Sequence, residues 1–372
     1  MAQRGDAVSF AFAKAVVVCA GFALTGGCAT NGSVAELETP PKLPTTSILQ
    51  AGHWEEEKKP VRVTEEGERE YAAAERLFQQ EKYGEAEAAF KKIAKAYKDT
   101  SLEEDALFMT AECQFLTKQY PKAQDSYEVL LEKYTNSRHL DKAAYRLFTI
   151  GKQWIDADAQ SAKNSSGWTP PLPNFTDDSR PLWDADGRAV EALKSVWEHD
   201  PTGPLADDAV MMIAGHHFAE GRYEEAEEFY DTLRTQFPNS PHQAKAHLLA
   251  ARAKLRAYQG PGYDQTKLEE AAQLLRTALR QFPELEEQRP RIYRALEAIR
   301  AQQAEGLWET AEYYRRARHP QSAGMYYNML VKRYPDTKWA VQARARLGQP
   351  PKAPEEETET TEDSFRDLRV GN

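Results

Sequence analysis

Apolar positions along this chain recur with a helical period, not in the alternation of a strand. An alanine is followed by an aromatic residue or Leu at +4, an aliphatic residue or Ala at +7, and usually an aromatic at +11. The set appears as Ala86, Phe90, Ile93, Tyr97 and again as Ala123, Tyr127, Leu130, Tyr134. It returns as Ala226, Tyr230, Leu233, Phe237, then Ala271, Leu275, Ala278, Phe282, then Ala323, Tyr327, Leu330, Tyr334. A weaker copy, Ala189, Leu193, Val196, ends at Asp200. These offsets trace one face of an α-helix. Pro201, Pro238, Pro283 and Pro335 follow the last position of four copies and stop the helix there.

A second helix is predicted before each of the better copies. Twelve residues ahead of the anchor stands another alanine, at Ala74, Ala111, Ala214 and Ala311. A tyrosine sits three before the anchor at Tyr83, Tyr120 and Tyr223. Small residues let two helices cross closely, and the tyrosine covers the turn between them. Each unit is therefore helix, tight turn, helix. One hairpin cannot bury its apolar face alone, whereas a stack can, so the fold predicted is an all-α helical-hairpin solenoid of about six repeats. It spans residues 67–348 and ends in a capping helix, Trp339 to Leu347, stopped by Gly348 and Pro350.

Two features break the array. A helix from Leu140 to about Ile155 should pair with one starting near Gly187, with Asp186 as its N-cap. The insertion between them, 156–186, carries Trp168, Trp183 and several prolines. These favour an extended path docked on the solenoid over free disorder. It is either a partner-binding loop or an insertion without a binding role. The spacing between anchors also widens, from 37 residues in the earlier copies to 45 between Ala226 and Ala271 and 52 between Ala271 and Ala323.

The ends are of a different character. Arg4 and Lys14 precede an apolar run, Ala15 to Leu24, which is too short to span a bilayer. It closes on Leu24-Thr25-Gly26-Gly27-Cys28, which resembles a bacterial lipobox. Residues 1–27 are therefore expected to be a lipoprotein signal peptide and Cys28 the lipid attachment site; ordinary secretion is the alternative. Residues 28–66 lack periodicity and read as a tether. Residues 349–372, with Glu355 to Asp363, read as an acidic, disordered tail.

The repeat positions resemble the tetratricopeptide repeat, including the spacing from first alanine to second alanine to proline. The longer period and the turns Phe237-Pro-Asn-Ser and Tyr334-Pro-Asp-Thr, behind a lipoprotein signal, are similar to the BamD/YfiO family of outer-membrane assembly lipoproteins. That resemblance implies a lipid-anchored scaffold on the periplasmic face of the outer membrane. It implies as partners a barrel-assembly protein, through its polypeptide-transport-associated domain, or unfolded outer-membrane protein segments. A Tol–Pal or cell-division coordinator is the alternative, although residues 29–66 show none of the heptads of its usual coiled coil.

Composition narrows the chemistry. The formal charge is −10 over 372 residues and the mean hydropathy is −0.72, which disfavours nucleic-acid binding and a polytopic membrane protein. Three cysteines build no disulfide framework, and Cys113 falls on a helical pattern as a small core residue. No HExxH, CxxC, phosphate loop or nucleophile elbow occurs, so no enzyme activity, cofactor or metal is expected. His216 and His217 are adjacent, point to different sides of a helix, and read as exposed or half-buried. Charge divides along the chain: residues 65–141 carry 17 acidic and 11 basic side chains, residues 245–346 carry 11 and 19. The second set is arginine-rich, with Arg252, Arg256 and Arg291 among its members. Arg315, Arg316 and Arg318, just before the Pro320 turn, are the first candidates for docking an acidic partner. The competing reading is a solvated face.

Overall fold

The computed structural model describes residues 64–164, 174 and 177–350. The signal peptide, Cys28, most of the tether, Trp168 and the acidic tail beyond Pro350 lie outside the described residues. Six antiparallel helix pairs follow one another. They are α1 (Glu65–Gln79) with α2 (Tyr83–Ala96), α3 (Ser101–Leu116) with α4 (Tyr120–Lys133), and α5 (Leu140–Asn164) with α6 (Ala185–His199). Next come α7 (Ala206–Ala219) with α8 (Tyr223–Gln236), α9 (Gln243–Ala257) with α10 (Thr266–Gln281), and α11 (Arg289–Arg316) with α12 (Pro320–Arg333). A final helix, α13 (Lys338–Leu347), caps the last pair and ends at Gly348 in the left-handed region, φ 68°. Each helix packs on its neighbours in sequence, the arrangement of a solenoid. No strand occurs among the described residues.

The anchors explain the pairing. Ala86, Ala123, Ala189, Ala226 and Ala271 are wholly inaccessible to solvent, and Ala74, Ala111, Ala214 and Ala311 are buried opposite them. Absence of a larger side chain at these crossings lets the helix backbones approach. The core is a series of clusters along the array, the first three spanning more than one hairpin and the last joining the α11–α12 hairpin to α13. Cys113 is fully buried in the first of them, and burial pushes its thiol up to about 12.

Four hairpins turn through one left-handed residue five positions before the anchor: Glu81, Lys118, Gly221 and Arg318, with φ between 60° and 76°. The next residue's amide closes the turn on a carbonyl five back, as in Gln119 N to Gln114 O at 2.8 Å. Only one of the four is glycine, so the turn is imposed by packing of the two helices and not by local preference.

Several boundaries differ from the sequence reading. The first helix begins at Glu65, capped by the Thr64 hydroxyl, inside the stretch read as tether. Helix α5 continues past Ile155 to Asn164, so regular structure takes up the start of the 156–186 insertion. The cap of α6 is Asp184 and not Asp186: its Oδ1 accepts from Gly187 N at 2.9 Å, three residues on, which is the reach of an N-cap side chain. The wide spacing before Ala323 is filled by a 28-residue helix, α11. Its first half packs Ile292, Ala295 and Ile299 against α9 and α10, and its second half packs Ala304 and Ala311 against α12 and α13. One rod thus joins two core clusters.

Candidate interaction surface

A binding surface on a solenoid is assembled from side chains that the repeat geometry leaves exposed. Arg315 and Arg316 close the last turn of α11, where the carbonyl end of the helix favours cations, and Arg318 is the left-handed turn residue. All three are exposed. They are not equivalent. Arg315 pairs with Glu312, its Nη2 2.6 Å from Oε2 and its Nε at 3.0 Å. Arg316 Nε reaches only the Glu312 carbonyl, at 3.2 Å. Glu312 also accepts from the Tyr327 hydroxyl at 2.6 Å and lies 3.3 Å from Arg346 Nε. Arg315 first, then Tyr327 and Arg346, hold the Glu312 carboxyl below the ordinary range. Free positive charge at this turn therefore resides mainly on Arg316 and Arg318.

Beside them lies a groove of about 740 Å³ between α11 and the α9–α10 loop, lined by Pro261, Gly262, Trp308, Tyr313, Tyr314, the two α11 arginines and also Glu309 and Glu312. Gly306 lets the loop descend onto the helix: a Cβ there would sit 3.1 Å from the Pro261 carbonyl and collide with the Gln265 side chain. Tyr313 is 63% exposed, as is Tyr263 next to Gly262 in the loop. Tyr314 is held by face-to-face stacking on Tyr326, ring centroids 5.4 Å apart. An aromatic groove lined by both arginines and glutamates suits an extended peptide carrying aromatic residues.

Trp183, the described one of the two insertion tryptophans, is 58% exposed on the α5–α6 hairpin beside exposed Leu182. The insertion is tied down at this end, where Trp154 Nε1 donates to the Ser179 carbonyl at 2.8 Å and Asn174 N to the Leu182 carbonyl at 3.0 Å. Trp183 and the arginine turn belong to different hairpins and form no common site.

The histidine pair departs from expectation. His216 and His217 are both buried, at 6% and 7% exposure, because α7 is covered on two sides by α6 and α8. Burial, with Arg222 and His216 nearby, pushes the His217 imidazole down to about 4, so it is neutral. Its ring stacks on Phe229 at 5.4 Å and serves as core. Among the described residues no group of three or more acidic, His or Cys side chains is placed to hold a metal ion.

One polar motif lies outside the apolar repeat pattern and recurs in the fold. Glu112 accepts from the Tyr127 hydroxyl at 2.5 Å and takes two bonds from Arg146, each 2.8 Å. Two hundred residues on, Glu312, Tyr327 and Arg346 repeat the trio. The signal for it was the shared register of Ala111 and Ala311, one position before each glutamate.

Comparison with known proteins places these features. Residues 184–360, just under half the chain, match the family described as YfiO, outer membrane lipoprotein. Residues 71–138 match a tetratricopeptide repeat. No curated protein matches the chain. Among solved structures, PilW, described as a widely conserved type IV pilus biogenesis factor, aligns at 15% identity over 76% of this chain and 99% of its own, with a TM-score of 0.25. The C-terminal part of a repeat protein from Cytophaga hutchinsonii aligns at 16% identity over 73% and 98%, with a TM-score of 0.27.

Proposed function

We propose that this chain, a YfiO-like tetratricopeptide-repeat protein, is a lipid-anchored scaffold on the periplasmic face of the outer membrane that binds proteins of the outer-membrane assembly machinery. The observation that carries this reading is the YfiO match over residues 184–360, which takes in the α6–α13 array and with it the arginine turn and the aromatic groove. Tetratricopeptide and YfiO families are protein-interaction scaffolds, and a stack of hairpins offers a long surface without chemistry of its own. Cys28 is the attachment point, and the tether lets the solenoid stand off the bilayer. Arg316 and Arg318, with Arg315 partly neutralised, dock an acidic segment of the partner, and the groove beside them takes its apolar residues. Trp168 and Trp183 are a second, smaller contact.

Two measurements test this. Cys28→Ala should move the protein from the membrane fraction to the soluble periplasm. Identical fractionation of wild type and variant would remove the anchor. The second is recovery of partners from envelope extracts at two salt concentrations, using wild type and the Arg315→Glu, Arg316→Glu, Arg318→Glu variant. Exposed charges are screened over about 8 Å at physiological ionic strength, so recovery by the wild type should fall with salt. The variant should bind several-fold more weakly at low salt, since exposed ion pairs each contribute little. Glu81 already occupies the left-handed position equivalent to Arg318, so the reversal is compatible with the turn. Unchanged recovery by a folded variant would exclude this patch.

A further inference from the structure

The α7–α9 repeat lacks a carboxylate that the same fold supplies elsewhere. Its register with the α3–α5 repeat is fixed by two matching pairs: His139 Nε2 bonds Asp105 at 2.7 Å, and His242 Nε2 bonds Asp208 at 2.6 Å. In that register Phe115, Tyr120 and Tyr127 correspond to Phe218, Tyr223 and Tyr230. Glu112 corresponds to Gly215. The Phe–Tyr ring pairs superpose in kind, at 5.2 Å in the first repeat and 5.4 Å in the second.

Tyr230 is kept, Leu249 takes the register place of Arg146, and the arginine stands one turn further on, at Arg252. Arg146 lies 4.2 Å over the Phe115 ring and is neutralised by Glu112. Arg252, one turn further along its helix, lies 5.2 Å over Phe218, and Arg256 lies 5.7 Å over Tyr223. Both are half-buried, and the Nε of each is shielded from solvent without a hydrogen-bond partner. Neither forms an ion pair with a described residue, and nor does Arg291 at the start of α11. Burial, then Arg256 and Arg291, hold the Arg252 guanidinium below its ordinary range. The Tyr230 hydroxyl makes no hydrogen bond to a described residue, unlike Tyr127 and Tyr327. A Cβ built on Gly215 meets nothing within 4 Å, so a side chain can start from this position without a clash.

We propose that this place is a binding site for a carboxylate from another polypeptide, an acidic peptide segment whose side chain stands in for the absent glutamate and bonds Arg252 and Tyr230. Arg256 and Arg291 supply the surrounding positive field and take neighbouring acidic residues. The stacked rings hold the guanidinium planes in place, which lowers the ordering cost of a planar, two-bond contact. Desolvated arginines without counter-charge are costly to maintain, and a ligand carboxylate removes that cost. The site lies on α7–α9, apart from the arginine turn, and does not rest on the envelope reading.

The test is fluorescence anisotropy of the full chain with a labelled oligoglutamate peptide. Arg252→Met should weaken binding about tenfold, the loss of one charge-assisted contact. Gly215→Glu should weaken it as much, because the chain then fills its own site. Gly215→Ala and the charge-matched Gln281→Glu should bind as wild type. Independently of binding, Gly215→Glu should have a higher Tm than Gly215→Ala, since only glutamate pairs with Arg252. Wild-type binding by Gly215→Glu, or equal weakening by Gln281→Glu, would overturn the proposal. So would inorganic phosphate or phosphatidylglycerol vesicles binding at Arg252 while the peptide does not.

Discussion

Trp154→Ala should destabilise the protein by about 3–5 kcal/mol, the range for deleting a large aromatic side chain from a packed core. Trp154 is 1% exposed and is the largest fully buried side chain among the described residues. It sits one turn beyond Ile150 and two beyond Leu147, in one core cluster with Leu193 and Ala189 of α6. The helices approach closely beside it, since a Cβ on Gly151 would lie 2.8 Å from Leu193 Cγ and 3.0 Å from the Ala189 carbonyl. The indole also fastens the returning insertion through Ser179. Its loss therefore opens a cavity between α5 and α6 and releases the segment leading to Trp183. Repeat arrays draw stability from each unit and its neighbours, so a weak middle hairpin divides the array. Urea denaturation should show a lower midpoint and a broadened or second transition, and residues 177–183 should become a protease site. Trp154→Phe keeps most of the volume and should lose the smaller part. A loss under about 1 kcal/mol for the alanine variant would contradict this packing.

The sequence made the solenoid legible because its pattern is local: an anchor alanine, the apolar residues on its face and the proline beyond lie within thirteen consecutive residues. The buried anchors and the tight turns follow from that register. Lengths were less legible. Ile155 to Asn164 is polar and small, a composition that continues a helix as readily as it ends one, and the contact with α6 decides. The 28 residues of α11 contain two apolar faces that serve different neighbours, which a search for one repeat face does not join. The histidines misled because His216 and His217 look polar, whereas two flanking helices exclude water from both. The charge count found the arginine-rich half. It could not separate Arg315, which is paired on its own helix, from Arg252 and Arg256, which have none of the carboxylates that neutralise their counterparts. That distinction depends on contacts between helices about 30 residues apart, of which Gly215 in place of Glu112 is the sequence trace.

Glu112→Ala should cost about 2–4 kcal/mol, because it strands two partners and not one. Tyr127 is fully buried, and its hydroxyl loses its acceptor. Arg146 keeps its place over Phe115 but loses both bonds to carboxylate oxygen, and its side chain is only 28% exposed. Glu312→Ala removes the same trio at the end of the array, where Arg315 and Arg346 are 45% and 49% exposed and water replaces the lost acceptor. That variant should lose clearly less. In the α7–α9 repeat Leu249 stands where Arg146 stands, so the fold accommodates an aliphatic side chain at that place. Adding Arg146→Leu to Glu112→Ala removes the stranded charge and should recover part of the loss, so the two substitutions combine less than additively. Urea midpoints of the two single variants and the double variant measure the coupling. A double variant whose loss equals the sum of the singles would show that Glu112 and Arg146 act independently, and the trio would then be no more than a geometric recurrence.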